Sequence, residues 1–361
     1  MAGIKMCPAP FLSQAMWADG RASVCCNDES KDTLGLEEEW YSSSRRLLRQ
    51  EWLAGNIPTR CVSCIGRNEN SESELYNHYV HLYGHMSRYQ LIKASKEKPK
   101  YLHLSPSNKC NVGCRICDSF ISSTYGKLFS SEEVTNIPIV EWVKGSPVEH
   151  YYAHGGEPLL SPEHKEVIRY FTTLPNPPHV TILTNGTVYD EEWVELLKKI
   201  PSVLWQISLD GHPELNDVAR VGTRTKLVEK NWWKVREALP HAKFSIHSTF
   251  SIYNSHDLEK TYQYINSYKP DAHSFCIGHN PGRISVSNLS DIEKDKLRNE
   301  LMKIPTGGSS VVEVNLKPTI ENILLELDRK PRNRNGYVQT TLAQNSRLAN
   351  EKLLIDVKDI S

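Results

Sequence analysis

From Lys100 onward, short apolar runs alternate with longer segments whose apolar residues recur every three or four positions. The runs KYLHLS (100–105), PVEHYYAHGG (147–156), HVTILTNG (179–186), SVLWQISLDG (202–211), KFSIHSTFS (243–251) and AHSFCIG (272–278) read as six strands. Five helical segments follow or separate them: 161–174, 190–200, 225–239, 255–268 and 290–304. Ser161 and Pro162 supply an N-cap and a first helical position, and 190–200 opens acidic and closes basic, as the helix dipole prefers. Strands alternating with helices of this length imply βαβ units, a parallel sheet and an incomplete barrel of six units. Chemistry in such a sheet gathers at the C-terminal strand ends. Three of those ends are glycine-bearing: HGGEP, LTNGT and ISLDG.

Ahead of this core, LEEEWYSSSRRLLRQEWLAG (36–55) reads as an amphipathic helix stopped by Gly55, leading to CVSC (61–64). Residues 71–95 read as a connecting helix with an apolar Leu/Tyr/Val face, so His78, His81 and His85 are expected to be packed or solvated helix residues. After Lys303 the chain is polar, and PRNRNGYV (331–338) reads as a turn. The expected division is 1–69, a cysteine-bearing module; 70–98, the connecting helix; 99–304, the core; and 305–361, an extension without an assigned role.

Seven of the nine cysteines fall in clusters: Cys25–Cys26, Cys61–Cys64 and Cys110–Cys114–Cys117. Clustered cysteines in a reducing compartment favour metal over disulfides. Three thiolates spaced C-x-x-x-C-x-x-C suit three irons of a [4Fe–4S] cube, the fourth being left open. A zinc site completed by a distant ligand such as His103 is the alternative.

The C-x-x-x-C-x-x-C loop after the first strand, with GGEP, TNG and SLDG at later strand ends, resembles the radical S-adenosylmethionine (radical SAM) enzymes over about residues 100–290. The resemblance implies an α/β fold, a partial (βα)6 TIM-like barrel. It makes Cys110, Cys114 and Cys117 ligands of a [4Fe–4S] cluster whose open iron binds the amine and carboxylate of S-adenosyl-L-methionine. Gly155, Gly156 and Glu157 would face the methionine amine; Ser208 and Arg220 would face the ribose or carboxylate. Reductive cleavage would give a 5′-deoxyadenosyl radical that abstracts a substrate hydrogen atom. Ile116 stands where the family often has an aromatic residue, which puts adenine stacking in doubt. Read from its helix alone, Arg220 is equally a surface charge.

The N-terminal pattern C-x12-G-x4-C followed by C-x-x-C is similar to the SPASM or twitch auxiliary-cluster module. It implies a second [4Fe–4S] cluster on Cys7, Cys25, Cys61 and Cys64, with Cys26 a bystander. The module usually follows the core, and its second cysteine group is absent here. The resemblance as a whole implies an oxidoreductase modifying a peptide, by net oxidation or bond formation, or else dehydrogenating a small alcohol, sugar or nucleotide. Its partner would be an electron donor such as flavodoxin or ferredoxin. A non-enzymatic structural zinc protein is the reading from another class.

Forty-three basic and forty-three acidic residues cancel, which gives no global field for nucleic acid. No eighteen-residue apolar window occurs, so a cytoplasmic protein without membrane contact is expected. Cys276 reads as a small buried residue or, from its place at the end of the sixth strand, a substrate-facing one, and Asn254, His247, His279 and Arg283 lie near strand ends without a motif to fix a role.

Overall fold

The computed structural model describes residues 5–28, 33–65, 74–128, 135–278, 281–303 and 316–347. Its strands are β1 (Ser13–Met16), β2 (Ala22–Ser23), β3 (Tyr101–Leu104), β4 (His150–Ala153), β5 (His179–Thr184), β6 (Val203–Ser208), β7 (Lys243–Phe250) and β8 (Ala272–Ile277). The last six are the strands expected from the sequence. The chain divides into two compact units, residues 1–108, 135–181 and 199–202 in the first and the remainder in the second.

In the first unit β3 runs parallel to β4, His103 opposite Tyr152. The unexpected β1 adds in parallel on the other side of β3, and β2 returns antiparallel to β1. All four positions of β1 are buried, polar Ser13 and Gln14 included, so its sequence lacks the alternation that announces a strand. Its polar groups are paired inside. Gln14 Nε2 donates to Glu39 Oε2 at 2.9 Å, and Gln14 Oε1 accepts from Trp142 Nε1 at 3.1 Å. Arg45 Nη1 reaches both Glu39 oxygens at 2.9 and 2.8 Å, and its guanidinium lies 4.3 Å from the Trp40 ring centre. Removing one member of such a pair leaves a buried charge, at a cost of about 3–5 kcal/mol.

The helix Ser43–Leu53 ends where expected, at Gly55 with φ +83°. The connecting helix is two helices, Glu74–Tyr83 and Arg88–Ala94, the first burying Tyr76, Tyr79 and Tyr83 on one face. His78 packs edge-on against Tyr101, while His81 and His85 are exposed.

In the second unit β6, β7 and β8 are parallel, with Ser208 opposite His247 and Thr249 opposite Cys276. Helices open with N-caps at Asp190 and Ser290, the latter a capping box with Glu293. The polar C-terminal stretch differs from expectation: Leu316–Leu327 and Arg334–Arg347 are helices, and only 328–333 turns. Ile323, Leu327 and Tyr337 pack on Phe250, Ile284 and Leu297. Polar Glu326 takes internal partners, Ser285 Oγ at 2.6 Å and Arg332 Nε at 2.6 Å. Among the described residues no helix is long and apolar enough to cross a membrane.

Several histidines of the first unit are held neutral by burial. His164 is fully buried; its Nε2–H donates to the His154 carbonyl at 3.0 Å, leaving Nδ1 to accept from the Tyr151 hydroxyl at 2.6 Å. Burial lowers its pKa to about 4, that of His150 to about 4 and that of His103 to about 3. An unfolded imidazole titrates near ~6.5, so below that pH the unfolded chain binds more protons and the fold loses stability. We expect urea midpoints to be flat above about pH 6.5 and to fall steadily toward pH 4, His164 alone accounting for up to ~3 kcal/mol. His164→Gln should flatten part of that slope, and an unchanged slope would contradict the assignment.

Candidate functional site

The segment around Cys110–Cys117 has no helix or strand, and it is fixed instead by bonds to its surroundings. Gly113 N–H and Arg115 N–H donate to the carbonyls of Val221 and Ala219, at 2.8 and 2.7 Å. The fully buried Arg115 adds Nε to the Val218 carbonyl at 3.0 Å. Thr124 Oγ1 donates to the Cys110 carbonyl at 2.6 Å and Ser122 Oγ to the Val112 carbonyl at 2.9 Å. Arg283 holds the other end, donating to the Cys117 carbonyl and to Tyr125 Oη. Burial, then the nearby Cys114 and Cys110, push the Cys117 thiol well up. Burial also raises Cys114, against the pull of Arg220. Such thiols shed their protons on binding metal, not before it.

Arg220 is buried, which rules out the surface-charge reading. Its Nε stands 2.7 Å from Asp210 Oδ2, too oblique for a hydrogen bond, while Nη2 donates to Oδ1 at 3.1 Å. Nη1 lies 3.9 Å from Cys114 Sγ. Burial alone would lower the Arg220 pKa, but Asp210 and Cys114 hold it above the ordinary value. A cation is thereby fixed beside the middle cysteine.

The TNG turn reaches the first cysteine. Asn185 Nδ2 donates to Asn111 Oδ1 at 2.9 Å and lies 4.0 Å from Cys110 Sγ. Gly186 has φ +73°, and a Cβ there would meet Val228 Cγ1 at 2.8 Å. Ser208 ends β6 and is buried. Ile116 packs on the apolar cluster around Phe250. The paired glycines belong to the first unit. Gly155 has φ +89°, and a Cβ would fall 1.5 Å from Ser105 Oγ, so no side chain fits. Buried Glu157 caps the turn Pro158–Leu160, accepting from Leu159 N–H at 3.3 Å.

Cys7, Cys25, Cys61 and Cys64 line one cavity, in the first unit, with Trp52, Asn27 and Arg60; Cys26 is not among its lining residues. Burial raises the Cys7 thiol to about 12 and the Cys61 thiol to about 11, with Cys64 adding to both. The cavity is about 30 Å³, room for a water or two, so a larger group enters only as lining side chains move outward.

Asp210 and Asn185 lie inside the SLDG and TNG motifs, yet their contacts to Arg220 and toward Cys110 are not readable from the motifs. Asn254 is structural, its amide donating to the carbonyls of Asp210 and Thr249 at 2.7 and 3.0 Å. Cys276 is exposed, not buried, and its sulfur meets Thr249 Oγ1 at 3.4 Å and His247 Nε2 at 3.5 Å. His103 packs its ring on Tyr152 and His154. His279 lies outside the described residues.

Residues 104–265 match the model of the radical SAM superfamily. The sporulation killing factor maturation protein SkfB of Bacillus subtilis (strain 168) is 30% identical over 117 residues, 32% of this chain and 28% of its own. A GTP 3′,8-cyclase of Clostridium perfringens is 27% identical over 139 residues, 36% of this chain and 40% of its own. The chain thus spans less than half the length of these relatives. Among solved structures, Streptococcus suis SuiB bound to precursor peptide SuiA aligns with a TM-score of 0.43 at 18% identity, over 71% of this chain and 58% of that one. The structure of anSMEcpe with bound AdoMet aligns with a TM-score of 0.42 at 19% identity, over 55% and 58%. The family match takes in the three-cysteine loop, the paired glycines, Asn185, Asp210 and Arg220, and residues 104–265 form a domain of the radical SAM superfamily.

Proposed function

We propose that the chain is a radical S-adenosylmethionine enzyme in which Cys110, Cys114 and Cys117 hold a [4Fe–4S] cluster with one iron left to the cosubstrate. The observation that carries this reading is the pinned loop itself, three cysteines held on one segment with a buried cation 3.9 Å from Cys114. Three sulfur donors fit three irons of a cube.

When bound, the cluster supplies the electron that cleaves the sulfonium of S-adenosylmethionine to methionine and a 5′-deoxyadenosyl radical. The chain's own part is binding and exclusion of water. Arg220 offsets negative charge at Cys114, and Ser208 offers a hydroxyl at a strand end. Gly155 and Gly156 leave backbone uncovered for the methionine amine, in a turn that the Glu157 carboxylate caps. The fold we propose for the core is a partial (βα)6 barrel. Cys7, Cys25, Cys61 and Cys64 would hold a second, closed [4Fe–4S] cluster in a SPASM-like module, and an electron donor such as flavodoxin or ferredoxin would feed the first. We take the substrate to be a peptide, oxidised or crosslinked, with support from the partial match to a maturation protein. The match to a GTP 3′,8-cyclase favours a second reading, a small-molecule substrate.

Anaerobically purified protein should be brown, carry about eight irons per chain and form 5′-deoxyadenosine when reduced with S-adenosylmethionine. Colourless protein with stoichiometric zinc would sink the proposal. Cys114→Ala should abolish 5′-deoxyadenosine formation. Arg220→Gln should slow it roughly 10–100-fold, as loss of a partner beside a metal ligand does, and an unchanged rate would take Arg220 out of the site. Cys61→Ala should spare cleavage without substrate but stop product formation; product at the normal rate would remove the second cluster from the reaction.

A further inference from the structure

The four-cysteine cavity has polar neighbours that the cysteine pattern does not specify. Trp52, on the helix Ser43–Leu53, is 3% exposed and lines the cavity. Its indole N–H has no partner of ordinary hydrogen-bond geometry, and burying a donor in that state costs free energy unless something in the cavity receives it. Trp52 and Cys61 line the same cavity. On the opposite lining segment, Asn27 Nδ2 donates to Cys64 Sγ at 3.5 Å. Arg60 also lines the cavity, but Asp28 Oδ2 neutralises it at 2.6 Å. Arg60 therefore brings little net charge, although its Nε is also without a partner, while Trp52 and Asn27 offer neutral side-chain N–H groups among the described lining residues.

A cluster bound by four thiolates gains one negative charge when reduced. Donors aimed at its sulfurs stabilise that charge more than they stabilise the oxidised form, and hydrogen bonds to sulfur are among the levers that set such potentials. Resting on the second cluster of the proposed function, we propose that Trp52 and Asn27 are its outer hydrogen-bond donors, acting on Cys61 and Cys64 to raise its midpoint potential. They are positioning residues, and their effect is to favour the reduced state of the closed site while leaving the three-cysteine site alone.

The test is an EPR-monitored redox titration of the whole protein, reconstituted anaerobically, for the wild type, Trp52→Phe, Asn27→Val and Asn27→Asp. Trp52→Phe and Asn27→Val should each shift one cluster about tenfold toward the oxidised form, a fall of ~59 mV for a one-electron couple. Asn27→Asp, which replaces the donor with a negative charge, should lower it further. The signal that responds to S-adenosylmethionine should keep its potential in all three. Two clusters with potentials unchanged in the variants would overturn the role of Trp52 and Asn27. A wild type with about four irons and a single signal would overturn the second cluster itself, before any variant is compared. Asn27 is exposed, so its substitutions test the proposal even if Trp52→Phe disturbs the fold.

Discussion

The buried pair of Asp210 and Arg220 is the interaction on which the second unit's site depends. Asp210 Oδ1 accepts from Thr249 N–H at 2.8 Å and from Arg220 Nη2 at 3.1 Å, and Asp210 N–H donates to Asn216 Oδ1 at 2.9 Å. One carboxylate thereby ties the end of β6 to the end of β7 and to the helix Pro213–Ala219. Arg220, at the close of that helix, passes the constraint to Cys114, and the carbonyls of 218, 219 and 221 receive the cysteine loop. A loop without regular structure is held here by bonds to elements that a buried charge pair ties together. Breaking such a pair costs more than its presence contributes, so the arrangement is specific more than it is stabilising.

The two cysteine groups solve different problems with the same donor. Cys110, Cys114 and Cys117 sit on one loop, with a cation beside the middle residue, and in the proposed function they leave a coordination position to a cosubstrate. Cys7, Cys25, Cys61 and Cys64 come from three separate stretches and surround a cavity whose neighbours are an indole and an amide. The first arrangement suits chemistry at an open iron. The second suits an electron site shielded from direct attack, where outer donors matter more than vacancies.

Much of this was legible in the chain. Short apolar runs marked all six core strands, and Ser161 announced a helix start through a short-range bond to the next turn. Local chemistry leaves local signals. What escaped was long-range. β1 is buried on every residue and carries Ser13 and Gln14, whose partners Tyr79, Glu39 and Trp142 lie 25 to 128 residues away. The helices Leu316–Leu327 and Arg334–Arg347 hid among polar residues such as Glu326 and Arg332 that pair with each other. Arg220 could not be told from a surface charge until Asp210 was seen to bury it.

Mössbauer spectroscopy of iron-57-enriched Cys61→Ala protein, with and without S-adenosylmethionine, tests the open position most directly, because only the three-cysteine cluster should remain. Ligation by Cys110, Cys114 and Cys117 alone predicts that one iron in four changes its isomer shift and quadrupole splitting when the cosubstrate is added, the other three staying as they were. Four irons that respond alike, or none that responds, would contradict a cluster held by three cysteines with its fourth iron reserved for the cosubstrate.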